Sequence, residues 1–218
     1  MLISKELQDK FIEFDPEISF FFKFFDEESN LQIFEIGAHD NAVSKILSMS
    51  GHFVTGIDLR ESDQSFHENY KHIVGDFCDM PDSFYKNHFG NYDCVITISS
   101  IEHFGLGAYQ DVPDKDYYDV VAMNYAYRML KPGGRCYVVV PFGGKFVTVK
   151  PHWRVYDFAS IKDRIQQNFR LERFEIQCSE DCNIYGINYK ANTEMSLNSA
   201  ILNTNGFPGI SAFIKLVK

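Results

Sequence analysis

Positive charge is in short supply. Lysine and arginine number 21 against 30 aspartate and glutamate, a formal net charge of −9. A field of that sign repels polyphosphate, which disfavours nucleic acid held by bulk electrostatics. Long apolar runs are missing as well. Nothing approaches the roughly 20 residues that a membrane span needs. The start, Met1-Leu2-Ile3-Ser4-Lys5-Glu6, lacks the basic-then-apolar order of a secretory leader. Cysteines are few and odd in number: Cys78, Cys94, Cys136, Cys178 and Cys182. Cys94 and Cys136 lie in apolar strand-like runs, so free buried thiols in a reducing cytoplasm are expected. Cys178-x3-Cys182 has no second pair or nearby histidine to complete four ligands, and no metal is expected. Repeats, low-complexity stretches and Pro/Gly/Ser linkers are absent. At 218 residues and 45% hydrophobic, the expectation is one domain over 1–218. Within it, 1–28 form an aromatic-rich helical cap and 178–210 an insertion between the last two strands.

What is plentiful is aromatic: 21 Phe, 12 Tyr and one Trp, with seven Phe between Phe11 and Phe25. That cluster reads as a helix packed on a sheet or as a lid over an apolar or planar ligand. Residues 2 to about 26 read as one helix broken at Pro16. Strands are predicted at 31–36, 52–57, 72–74, 93–98 and 135–140, with closing strands at 171–177 and 211–217. Helical spacing joins Ala42, Val43, Ile46 and Leu47, then Val120, Met123, Tyr127 and Leu130, then Phe158, Ile161 and Ile165. Lys131-Pro132-Gly133-Gly134 stops the second of these. Strands alternating with helices mean βαβ units, a parallel sheet covered on both faces, and ligands at the carboxyl ends of the strands.

The strand ends carry a consistent chemistry. Glu35-Ile36-Gly37-Ala38 runs a strand into a glycine turn, where a ligand can approach the backbone closely. Asp58, 21 positions after Gly37, ends the second strand, where an acid can accept from both hydroxyls of a ribose. Asp76, 18 positions further on, ends the third and can accept from the exocyclic amine of adenine, with Phe77 flanking the base. Neither G-x-G-x-x-G nor G-x-x-x-x-G-K-[ST] is present. Glu35 beside the glycine would repel phosphate and suit a cationic amino-acid group. Adenosine without phosphate, carrying a positive tail, describes S-adenosylmethionine better than a dinucleotide.

These motifs, in order, resemble those of class I S-adenosylmethionine-dependent methyltransferases. Glu35-Ile36-Gly37-Ala38 resembles the family's glycine motif, Ile57-Asp58 its ribose acid, and Gly75-Asp76-Phe77 its adenine motif. Asp93 to His103 resembles its fourth-strand motif, and Met129-Leu130-Lys131-Pro132-Gly133-Gly134 its helix-to-fifth-strand signature. The match covers roughly residues 30–177. The glycine motif departs from the pattern in keeping only Gly37, with His39 and Asp40 where glycine or small residues are usual. Ser100 to Gly107 is similar to a bacterial group linked to polysaccharide and sugar modification. The resemblance implies an α/β, Rossmann-like, seven-stranded, mostly parallel sheet of order 3-2-1-4-5-7-6, with one antiparallel strand and flanking helices. It also implies cofactor contacts from Glu35, Gly37, Ala38, His39, Asp58, Leu59, Asp76, Phe77, Ser99 and Ser100.

Methyl transfer needs the acceptor in line and, for a hydroxyl, a base. His103, after the fourth strand, is the first candidate because its ordinary pKa lies near neutral; His152 is the second. Glu102, Trp153 and Arg154 are expected to face substrate, with Lys150 to Arg154 able to meet an anion or to tuck over the sheet edge. His39 reads either as a ligand for the cofactor carboxylate or as a solvated helix-start residue. Asp40-Asn41 reads as a helix N-cap. The amides and tyrosines between Cys178 and Gly209 suit a polyhydroxylated ligand. The acceptor is therefore expected to be a small molecule methylated on oxygen, a sugar above all. No N/D-P-P-Y/F motif stands after the fourth strand, which counts against base methylation. The other readings are a protein that binds S-adenosylmethionine or S-adenosylhomocysteine without transfer, and a homodimer is left open.

Overall fold

A computed structural model describes residues 16–26, 30–39, 42–62, 67–178, 182–184, 187–189 and 210–218, with side chains described up to 177 and again from 210. Five parallel strands run through its centre: β1 (Gln32–Ile36), β2 (Phe53–Asp58), β3 (Tyr70–Val74), β4 (Tyr92–Ile98) and β5 (Leu130–Pro141). The order is β3-β2-β1-β4-β5, then Ile210–Val217, then Arg170–Cys178 at the edge. Ile210–Val217 lies antiparallel to both neighbours. Counted along the chain, Arg170–Cys178 is the sixth long strand and Ile210–Val217 the seventh, so the order is the expected 3-2-1-4-5-7-6.

Apolar runs form these strands because both faces are covered. Alternation sorts their side chains. Ile33, Ile96, Tyr137 and Phe213 join one buried cluster with Phe21 and Phe24 of α1 (Pro16–Phe24) and Val43 and Leu47 of α2 (Ala42–Met49). Phe34, Val95, Val138 and Ile214 point the other way. There they meet Tyr85 of α3 (Asp82–His88), Met123 and Ala126 of α4 (Tyr118–Met129), and Ile161 and Ile165. The phenylalanine run is thus helix-on-sheet packing in its described half: Phe21 and Phe24 are buried and Phe24 meets Tyr137 edge-on at 6.0 Å. Pro16 opens α1, where its fixed φ suits a first turn. Residues 2–15 of the predicted helix, and Asp40-Asn41, lie outside the described residues.

The other boundaries shift by a residue or two, except that β5 begins five residues before the expected Arg135 and takes in the Lys131 to Gly134 run read as a helix stop. Leu130 starts β5 instead of ending α4. α5 (Phe158–Ser160) carries a capping box from Asp157 and continues as π-helix over Ile161–Gln166. A short hairpin that the sequence did not announce, β6 (Val147–Val149) with β7 (Trp153–Val155), stands where a loop was expected. The long strands at the far edge are β8 (Arg170–Cys178) and, after the hairpin strands β9 (Cys182–Ile184) and β10 (Ile187–Tyr189), β11 (Ile210–Val217). Most of the 178–210 insertion, including the side chains of Cys178 and Cys182 and its amides, lies outside the described residues. Cys78, Cys94 and Cys136 are free and buried. Among the described residues, no helix is long and apolar enough to cross a membrane.

Candidate functional site

The carboxyl ends of β1 to β4 open into a pocket of about 390 Å³, within the roughly 300–1,000 Å³ range of small-molecule sites. Gly37 and His39 line it from the turn after β1, Ile57 to Arg60 from β2, Gly75 to Phe77 from β3, and Ile98 to Ser100 with His103 from β4. α1 closes one side with Glu17 and Ile18, and the loop after β4 adds Phe104, Ala108, Tyr109 and Asp111.

The glycine turn is fixed from two sides. Gly37 and Ala38 both donate their N–H to the carbonyl of Ile57, at 2.9 and 3.1 Å. Gly37 sits at φ +80°, and a Cβ there would stand 2.3 Å from Ser100 Oγ. Only glycine meets both the backbone angle and the close approach. Ser100 Oγ in turn donates to the carbonyls of Ile98 at 2.8 Å and Gly37 at 3.3 Å. Ser99 has φ +45°, an unusual angle for a side-chain-bearing residue. Its hydroxyl donates to Glu17 Oε2 at 2.7 Å, while Ser211 Oγ donates to Glu17 Oε1 at 2.7 Å. One carboxylate thereby holds α1 against the ends of β4 and β11.

Two acids at adjacent strand ends offer acceptors. Asp58 takes the Arg60 guanidinium across both oxygens: Nε donates to Oδ1 at 3.0 Å and a terminal nitrogen to Oδ2 at 3.4 Å. The Arg60 guanidinium also lies 5.0 Å from the centre of the Tyr109 ring. Asp76 Oδ1 accepts from Cys78 N–H at 2.8 Å, but its Oδ2 is buried with no hydrogen-bond partner among the described residues. Burial pushes the Asp76 carboxyl above its ordinary range, and does the same to Asp111, which caps the loop by accepting from Gly105, Leu106 and Val112. Glu17, Asp58, Asp76 and Asp111 face a single lysine or arginine, Arg60, among the described lining residues. The pocket therefore favours a cationic ligand over a phosphate.

His103 stands in the wall on a short 3₁₀ turn, Ile101–His103. Its Nδ1 meets the carbonyl of His152, and its Nε2 is 3.6 Å from Glu102 Oε1. Burial pulls the imidazole below its ordinary value, with Arg154 adding to the effect, and pushes the Glu102 carboxyl well up.

Gly37, His39, Asp58, Leu59, Asp76, Phe77, Ser99, Ser100 and His103 thus come together at one pocket. Six of the expected site residues stand elsewhere. Glu35 is buried under α2 and accepts from Ser44. Ala38 is 2% exposed and packs toward Gly56. Glu102 lies behind His103. His152 is exposed outside the pocket, with its ring 5.3 Å from that of Trp153, which pairs in the β6–β7 hairpin. Arg154, expected at the substrate, is fully buried. Its two terminal nitrogens donate to the carbonyls of Glu102, Phe104 and Asp116 at 2.7 to 3.2 Å, while its Nε lies 3.9 Å from Asp119 with no hydrogen-bond partner among the described residues. No group of three or more metal-ligating side chains occurs among the described residues.

Residues 28–191 match the family described as "Caenorhabditis protein of unknown function, DUF268". The chain belongs to that family. No curated protein matches this DUF268 chain in sequence. Its fold is nonetheless shared widely. The 1,6-didemethyltoxoflavin-N1-methyltransferase of Burkholderia thailandensis, with S-adenosylhomocysteine bound, is 12% identical at TM-score 0.59, over 97% of this chain and 87% of that one. An S-adenosylmethionine-dependent methyltransferase of Mesorhizobium loti is 10% identical at 0.61, over 95% and 100%. The N-methyltransferase NodS of Bradyrhizobium japonicum, in complex with S-adenosylhomocysteine, is 11% identical at 0.54, over 87% and 79%. The DUF268 chain has the class I methyltransferase fold.

Sequence reasoning missed Glu17, Arg60, Tyr109 and Asp111. Glu17 was hidden in a phenylalanine-rich run whose readings, a packed helix or a lid, both rested on its aromatic residues. Arg60, two positions after the expected ribose acid, was the one with a readable signal, because residues at i and i+2 in a turn can close on each other.

Proposed function

We propose that this DUF268 protein transfers a methyl group from S-adenosylmethionine to a small-molecule acceptor, and that the acceptor atom is a hydroxyl oxygen, with sugars and comparable hydroxylated metabolites the first class to try. The observation that carries the reading is the pair of acceptors at adjacent strand ends. Arg60 already fills Asp58 with two donors on two oxygens, the same demand that a ribose diol makes. Asp76 Oδ2 lacks the donor that an adenine amine supplies. Phe77 lines the same pocket and would flank the base, and the close backbone at Gly37 and the surplus of carboxylates suit a cationic amino-acid tail. S-adenosylhomocysteine in two structural neighbours supports the same occupant here.

When bound, that cofactor supplies an electrophilic methyl carbon, and the chain's task is to hold the acceptor in line and receive its proton. His103 is the lining residue suited to receive it. A nitrogen acceptor is the second reading. The acid-rich wall favours it, as do the names of two neighbours that are N-methyltransferases.

Calorimetric titration of S-adenosylmethionine and S-adenosylhomocysteine tests the core of the proposal. Micromolar binding is expected, weakened at least tenfold, about 1.4 kcal/mol, by Asp58→Ala. No binding to the folded protein overturns it. Labelled methyl transfer to hydroxylated and to amine panels then separates oxygen from nitrogen. Binding without transfer to either panel would favour a protein that binds the nucleoside and transfers nothing.

A further inference from the structure

Glu102 is a carboxyl with 2% exposure whose Oε2 has no hydrogen-bond partner among the described residues. A buried, half-satisfied acid lowers stability and asks for an explanation. Its backbone is used structurally, since Arg154 donates to the carbonyls of Glu102 and Phe104 and clamps the turn from both sides. Its carboxyl also meets its own backbone N–H, and Oε1 lies 3.6 Å from His103 Nε2.

The tautomer of His103 follows from its other nitrogen. Nδ1 faces the carbonyl of His152, which can only accept, so Nδ1 carries a proton. The neutral ring then has its lone pair on Nε2, the nitrogen beside Glu102. At 3.6 Å that lone pair is not committed to the carboxyl.

We propose that Glu102 is the positioning partner of His103, forming a carboxyl–imidazole pair that receives the acceptor's proton in the wall of the pocket. The inference rests on the methyl-transfer reading of that pocket. In the step, the acceptor's O–H bond breaks and its electron pair stays on oxygen. An N–H bond forms at Nε2, and Nδ1 keeps its own proton. The step starts from neutral His103 beside a Glu102 that has already released its proton to solvent, so the imidazolium it forms lies against a carboxylate and two charges that would each be costly inside the protein offset one another. Burial weakens His103 alone as a base and makes Glu102 alone retain a proton, so the pair acts as a unit that neither residue can replace. The charged and titratable groups facing the pair are Glu17, which disfavours a second negative charge at Glu102; Arg154, which favours that charge; Arg154, Arg60 and His152, which disfavour a positive one at His103; and the phenols of Tyr156 near Glu102 and Tyr109 against His103.

The pair can be tested without an acceptor. The full chain is labelled with ¹⁵N in histidine and ¹³C in the glutamate carboxyl, and both signals are followed against pH, with His103→Asn assigning the ring. The wild type is expected to show one common inflection at His103 and Glu102, and Glu102→Gln to lower the His103 midpoint by about one pH unit. Separate inflections, or a His103 midpoint that Glu102→Gln leaves in place, overturn the pairing. If Glu102→Gln does not fold, the common inflection in the wild type decides. The measurement uses no S-adenosyl ligand, so a failed nucleoside titration and a failed pairing are told apart.

Discussion

Asp58 cannot hold a ribose while it holds Arg60. The guanidinium sits on both carboxylate oxygens, so entry of the proposed nucleoside would exchange one partner for another. The Arg60 side chain is 36% exposed, and an ion pair that open to water contributes at most about 1 kcal/mol. Arg60→Ala is therefore expected to tighten S-adenosylhomocysteine binding by up to about fivefold, the opposite sign to Asp58→Ala. Calorimetry of the two variants side by side checks both; weaker binding by Arg60→Ala would mean that the arginine holds the ligand. Asp76 sets a pH dependence. Its carboxyl titrates above the ordinary value because burial penalises the charged form. The carboxylate proposed to accept from an adenine amine is populated above that raised pKa and lost as pH falls through it. Affinity should thus decline as pH falls through that raised pKa, at a higher pH than an ordinary aspartate would give, and Asp76→Asn should flatten the decline. An equal decline in both proteins would locate the titrating group elsewhere.

Among the elements, the long strands were the most legible. Leu31 to Ile36 and Asp93 to Ile98 are apolar runs because both faces of those strands are covered, and no other short element carries so strong a pattern. The hairpin of β6 and β7 was illegible for the converse reason: three residues a side hold no periodicity, and tertiary contacts place them. Arg154 shows what that hides. In sequence it stands in a basic, aromatic stretch that suits an anion, yet its partners are carbonyls 38 to 52 positions away, a distance that no local pattern reports. Its removal should be costly to the fold. Arg154→Met leaves those carbonyls and Asp119 with fewer donors, though Arg164 and Tyr156 still serve Asp119. A loss of about 3 kcal/mol is expected, which in a chain of this size lowers Tm by about 6–12 °C. Scanning calorimetry checks it. An unchanged Tm would return Arg154 to the list of substrate-facing residues.

For the molecule as a whole, charge and topology set the limits. A net charge of −9, with an acid-rich pocket, predicts no measurable binding of duplex DNA at about 150 mM salt, where non-specific binders rely on neutralising phosphates. Fluorescence anisotropy of a labelled duplex tests this; salt-sensitive binding would revive a nucleic-acid substrate. The seven-stranded order and the gathering of Gly37, Asp58, Asp76 and Ser100 at one end were legible because each is tied to a strand end in a βαβ architecture. The closing wall was not. Glu17, Ser99 and Ser211 meet across 194 positions of chain, and only the folded sheet brings them within reach.

That meeting puts the pocket on a timetable. β11 enters between β5 and β8, both of which precede it in the chain, and Ser211 is the residue through which it reaches Glu17. A nascent chain that has emerged from the ribosome only as far as β8 carries the sequence of the five parallel strands and the glycine turn, but neither β11 to join β5 to β8 nor Ser211 to meet Glu17. During translation, then, the acids at the strand ends are made well before the strand whose Ser211 pins α1 beside them.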